Sequence, residues 1–60
     1  MSKHEIDFVL TGQHFKIDEI MKALDELLHD EGLNGFAQEA IKRAHGRLSE
    51  ANVLIELIRR

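Results

Sequence analysis

The chain has no cysteine, no proline, no tryptophan and no tyrosine, and its only aromatics are Phe8, Phe15 and Phe36. Without cysteine there is no disulfide, no thiolate metal site and no thiol redox chemistry. The same absence fits a reducing compartment, and a cytoplasmic location is expected. Proline-rich linkers, low-complexity tracts and repeats are missing too, so the 60 residues read as one small domain, 1–60. Hydroxyl nucleophiles are scarce: Ser2, Thr11 and Ser49 are the whole supply, and none sits in a nucleophile motif. No apolar run reaches the roughly 18 residues of a membrane span, and the N-terminus lacks a signal-peptide core, so neither spanning nor secretion is expected. The net charge of −3, with both signs interspersed, describes an ordinary solvated surface. A general nucleic-acid binder is more often basic.

What is present begins with one long pattern. From Gly35 to Arg60, Phe36, Ala37, Ala40, Ile41, Ala44, Leu48, Ala51, Leu54, Ile55 and Ile58 fall within about 140° of a helical wheel. That is the unbroken stripe of an amphipathic helix, with Gly46 as its one weak point. Gly46 could instead end a helix ahead of a third one capped by Ser49, or ahead of a strand at 53–58. Val53 and Leu57 lie off the stripe, nearly opposite it.

The N-terminal part reads differently. Met1 to Lys3 is expected to fray. Ile6, Phe8 and Leu10 alternate with Glu5, Asp7 and Thr11, the period of a half-buried strand. Gly12-Gln13 fits a type II′ turn, which would put Leu10 opposite Phe15 and Phe8 opposite Ile17. The rival reading starts a helix at Thr11, but Phe15 would then project away from the later stripe. A β-hairpin over about 5–17 is therefore expected. Asp18 caps a first helix over about 18–31, whose stripe is Ile20, Met21, Leu24, Leu27 and Leu28, with Gly32 as its stop. Asn34 is a candidate cap for the second helix, 35–60. The short connection makes the two helices antiparallel and puts Leu28, Leu24 and Met21 near Ala40, Ala44 and Leu48. The second helix, being longer, would overhang the first beyond Asn52.

Candidate chemistry is thin. His4, His14, His29 and His45 are scattered, and no two share a helix at i, i+4, so solvated or boundary histidines are expected rather than a metal site. The carboxylates lie mostly on outer faces, no glycine-rich phosphate loop is present, and neither enzymatic activity nor a cofactor is expected. Lys42, Arg43 and Arg47 form one basic cluster, to which Arg59 and Arg60 add charge; Glu39 and Arg43 make an i, i+4 pair on an exposed helix face.

A short strand followed by two helices, with GQHF before the first and EAIKRA in the second, loosely resembles the ribbon-helix-helix repressors, including the antitoxin type. The resemblance implies DNA reading by outward side chains of paired strands, here Glu5, Asp7, Val9 and Thr11. Two carboxylates at those positions depart from such a role, because phosphates repel them. The second helix is also longer than that family's. The entry FVL followed by KIDEIM is similar to that of S4-like RNA-binding domains, without their basic helix surface.

The expected molecule is thus an α+β miniprotein, a β-hairpin followed by an antiparallel helical hairpin, associating as a homodimer. Val53, Leu57, Leu54 and Ile58 are the expected dimer or partner contact, because a small chain without disulfides has little stability margin and an overhanging helix leaves these residues uncovered. The expected function is a non-enzymatic protein–protein interaction module, such as a small regulator, inhibitor or adaptor. Two alternatives stand beside it: a dimeric nucleic-acid-binding regulator using Lys42, Arg43 and Arg47, and a structural self-assembly unit.

Overall fold

The computed structural model describes residues 1–59; Arg60 lies outside the described residues. Two helices, α1 (Lys3–Leu28) and α2 (Gly35–Arg59), run antiparallel and are joined by the short connection 29–34. Together they make a rod 47 × 14 × 14 Å in extent. Among the described residues there is no strand.

The expected β-hairpin over 5–17 is therefore corrected: this segment is the first half of α1. The reason starts at Ser2. Its side chain accepts a hydrogen bond from the Glu5 amide at 3.2 Å, and its hydroxyl lies 3.2 Å from Glu5 Oε1. Ser-Lys-His-Glu has the S-x-x-E spacing of a capping box, and Ser2 is the N-cap, so the segment expected to fray is the helix start. Within the helix, the Thr11 hydroxyl donates to the Asp7 carbonyl one turn back at 2.8 Å, a bond that only helical backbone offers. Gly12 carries no positive φ and forms no turn. The period-two alternation of Ile6, Phe8 and Leu10 was coincidental. Phe8 is 81% exposed and Phe15 62%, so neither aromatic supplies the core that the hairpin reading required.

Two boundaries move as well. Asp18 is not a cap but lies in mid-helix. The first helix ends at Leu28 with His29 as C-cap, while Gly32 has no left-handed conformation; its amide is bound by Asp30 Oδ1 at 2.8 Å. The start of α2 is as read: Asn34 Oδ1 accepts from the Ala37 amide at 2.8 Å. Gly46 does not interrupt α2. With 26 and 25 residues, the helices match in length, so the expected overhang of the second helix does not exist.

Gly12 and Gly46 both face open space: a Cβ at either meets nothing within 4 Å. Since glycine inside a helix costs about 1 kcal/mol relative to alanine, Gly12→Ala and Gly46→Ala should each raise stability by about that amount. In thermal unfolding this is a rise of roughly 4–8 °C for a domain of this size. A fall in the midpoint would show that the missing side chain serves a contact.

Candidate interface

Burial in the two helices follows a heptad, with Thr11, Ala37 and Ala51 partly buried beside it. In α1 the partly buried residues include Asp7, Leu10, His14, Ile17, Met21, Leu24 and Leu28, alternating steps of three and four; in α2 they include Gln38, Ile41, His45, Leu48, Asn52, Ile55 and Arg59. This is the a/d seam of a two-stranded antiparallel coiled coil. Asp7, His14, Met21 and Leu28 occupy a in α1, and Gln38, His45, Asn52 and Arg59 occupy a in α2. All six d residues are Leu or Ile.

The a positions carry most of the polar groups, and their partners fix the register. Asn52 Nδ2 donates to Asp18 Oδ1 at 2.8 Å, and His45 Nε2 lies 3.3 Å from Asp25 Oδ1. One heptad forward along α1 thus matches one heptad back along α2, as an antiparallel seam demands. His14 Nε2 lies 3.4 Å from Asp18 Oδ2 on its own helix. Asp18 and Asp25 are e residues, so the polar half of the seam opens toward the e side of the hairpin. An open groove on that side is lined by His14, Asp18, Ser49, Asn52, Val53 and Glu56.

The opposite side is apolar. Its d and g positions read Ile6, Leu10, Gln13, Ile17, Ile20, Leu24 and Leu27 in α1, and Ala37, Ile41, Ala44, Leu48, Ala51, Ile55 and Ile58 in α2. In an antiparallel pair the g rows of both helices flank the same edge of the seam, so these residues form one continuous face. The hydrophobic stripe is centred between d and g, while the hairpin buries the strip between a and d, about 60° away. Each helix therefore spends only half its stripe on the other. Ile6 stays 41% exposed, Ile20 49%, Leu27 47% and Ile58 65%. Among the described residues no hydrophobic side chain is fully buried, and the one buried residue is Asn52, at 8% exposure.

The residues expected to form a contact divide between surfaces. Leu54 and Ile58 border the apolar face, whereas Val53 lines the e-side groove and Leu57 lies on the outer surface between them. All four are more than half exposed. What the sequence reading missed is that the α1 stripe, which included Ile20 and Leu27, continues back to Ile6 as a g row, because Ile6 was assigned to a strand. The seven-residue spacing of Ile6, Gln13, Ile20 and Leu27 was the available signal.

Lys42, Arg43 and Arg47 are exposed on the first half of α2. Arg43 lies with Glu39, Phe36 and Ala40 around a shallow outer hollow. The expected Glu39–Arg43 pair is not among the ion pairs of the described residues, which besides the histidine contacts comprise Arg59–Glu56 at 3.3 Å. Glu5, Asp7, Val9 and Thr11, the strand positions that the ribbon-helix-helix resemblance would use to read DNA, are helical. Among the described residues no group of three or more His, Asp or Glu side chains comes together to hold a metal, and no helix is long and apolar enough to cross a membrane. Compared with known proteins, the chain matches no family model, no curated protein and no solved structure.

Proposed function

We propose that the protein is a non-enzymatic protein–protein interaction module that works as a homodimer, its hairpin completing its core against a second copy. One observation carries the reading: the apolar d/g face is left half exposed by a hairpin in which no hydrophobic side chain among the described residues is fully buried. Two helices alone rarely fold in water without further packing. Ile6, Val9, Ile20, Leu27, Leu54 and Ile58 are each 41–65% exposed. Finishing their burial contributes about 1 kcal/mol apiece, hence on the order of 12 kcal/mol for two copies, comparable with the cost of association. The e side, with its groove and the exposed Phe8 and Phe15, would remain outside such a dimer as the surface offered to another protein. A rod with titratable groups spread along its faces and an open groove supports binding rather than catalysis.

Sedimentation equilibrium over a wide dilution range tests this, with far-ultraviolet circular dichroism on the same samples and interference detection, because Trp and Tyr are absent. A dimer whose helicity falls as it dissociates is expected. A monomer that stays fully helical at every concentration would overturn it.

A further inference from the structure

The apolar face also says how the second copy lies on it. We infer that the two hairpins stack with their connections at the same end, the two-fold axis running along the helices, so that α1 of each copy lies on α2 of the other. This rests on the homodimer reading above and adds the geometry.

Only two two-fold arrangements stack this face on itself. With the axis along the helices, α1 covers the partner's α2. With the axis across them, α1 covers α1, α2 covers α2, and the connections fall at opposite ends. In both, neighbouring helices are antiparallel, so helix dipoles do not choose between them. Size and charge do.

The face has a tall row and a low row. The g residues of α1 are Ile6, Gln13, Ile20 and Leu27; those of α2 are Ala37, Ala44, Ala51 and Ile58. The register set by Asn52–Asp18 and His45–Asp25 puts Ile20 level with Ala51 and Leu27 level with Ala44. It also puts Ile58, the one large g residue of α2, level with Gln13, the one polar g residue of α1. Stacking along the helix axis keeps these levels, so Ile20 meets Ala51 and Leu27 meets Ala44 on the partner, which lets the helices approach closely there. Stacking across the axis sets tall row on tall row and low row on low row, leaving a wedge along α2.

Charge selects the same arrangement. α1 holds three lysines against six carboxylates, and α2 four cations against three carboxylates. In the same-end stack the partner's Arg47 falls level with Ala23, between Glu19 and Glu26, and Lys16 falls beside the partner's Glu50. In the opposite-end stack the carboxylate-rich α1 lies on a second α1 and the cation-rich α2 on a second α2, so like charges face each other along the flanks of the contact. Unlike charges steer and register a contact, and like charges facing each other oppose it.

A cysteine-free chain makes the test direct. Glu31→Cys, in the exposed connection, and Lys3→Cys, at the opposite end of the rod, are each spin-labelled and the intersubunit distance read by pulsed dipolar resonance, with circular dichroism as a check on folding. Same-end stacking predicts a short distance from both, within about 25 Å given interhelical spacings near 10 Å and the label arms. Distances from both sites near or beyond about 39 Å, the length of a 26-residue helix, would overturn the arrangement while leaving the homodimer standing. A sample with no intersubunit distance, at concentrations where sedimentation also finds monomer, would remove the reading on which the arrangement rests.

Discussion

Ile20→Asp should dissociate the dimer by at least about a thousandfold and take most of the helicity with it at micromolar concentration. Ile20 sits near the middle of the apolar face and is 49% exposed in the single hairpin. If the hairpin were the whole folded unit, a carboxylate there would remain largely in water, and surface changes of this kind fall within about 0.5 kcal/mol. In a stacked dimer the same carboxylate is pressed into an apolar layer twice, once per copy, with no cation at its level. Burying an unpaired charge costs several kcal/mol even after relaxation, and about 4 kcal/mol corresponds to the factor named. Phe15→Asp is the control. Phe15 is larger and more exposed, at 62%, but its b position puts it on the e side of the hairpin, so association should not change. Sedimentation equilibrium on both variants decides the matter. An Ile20→Asp protein that sediments like the parent, or a Phe15→Asp protein that falls apart, would place the contact elsewhere.

The difference between these two residues also shows where the sequence was legible. The α2 helix could be read in full, because its stripe runs without a slip and Asn34 stands at the capping position. The antiparallel pairing followed from the short connection, and the expected neighbours were right to within a residue: Leu24 was placed by Ala44, and the register puts it by His45. The error in α1 had a physical source. A segment with Ile6, Phe8, Val9 and Leu10 is apolar on several sides, so a period of two and a period of three and a half both fit it. The strand reading won by assuming that phenylalanine must be buried. In this molecule both Phe8 and Phe15 face solvent, while the smaller Leu10 and Ile17 carry the packing. The helix-start signal of Ser2 followed by Glu5 stood in the sequence and went unread, because Met1 to Lys3 was expected to fray.

The candidate interface was legible only in part for a related reason. A stripe on a helical wheel reports what is apolar, not which half of it a hairpin consumes. The division became visible once Asp18 and Asp25 were seen to reach Asn52 and His45. Those contacts turn the a positions toward the polar side and thereby leave the g positions on the other. Val53 and Leu57 drew attention as apolar residues off the stripe. With α1 extending back to Lys3, the overhang that made them special is gone.

Asn52→Leu should stabilise the protein by about 1–2 kcal/mol and raise its unfolding midpoint by roughly 5–10 °C, at the expense of a single, well-defined pairing. Asn52 is the one residue below a tenth exposed among those described, and it is polar. Its Nδ2 binds Asp18, but its Oδ1 is buried with no partner among the described residues. An orphaned buried acceptor costs about 1–3 kcal/mol, and leucine removes it while adding apolar contact between Ile17 and the neighbouring d residues. The change gives up one hydrogen bond, about 1 kcal/mol. Asp18 is not stranded, since its side chain is 50% exposed and His14 lies 3.4 Å away. What disappears is the cross-helix contact that distinguishes one heptad register from the next, the use to which a polar a residue is commonly put. Thermal unfolding followed by circular dichroism should therefore show a higher midpoint, and sedimentation a broader distribution of species than the parent gives. A lower midpoint would mean that the Asn52–Asp18 bond supports the fold itself rather than selecting its register.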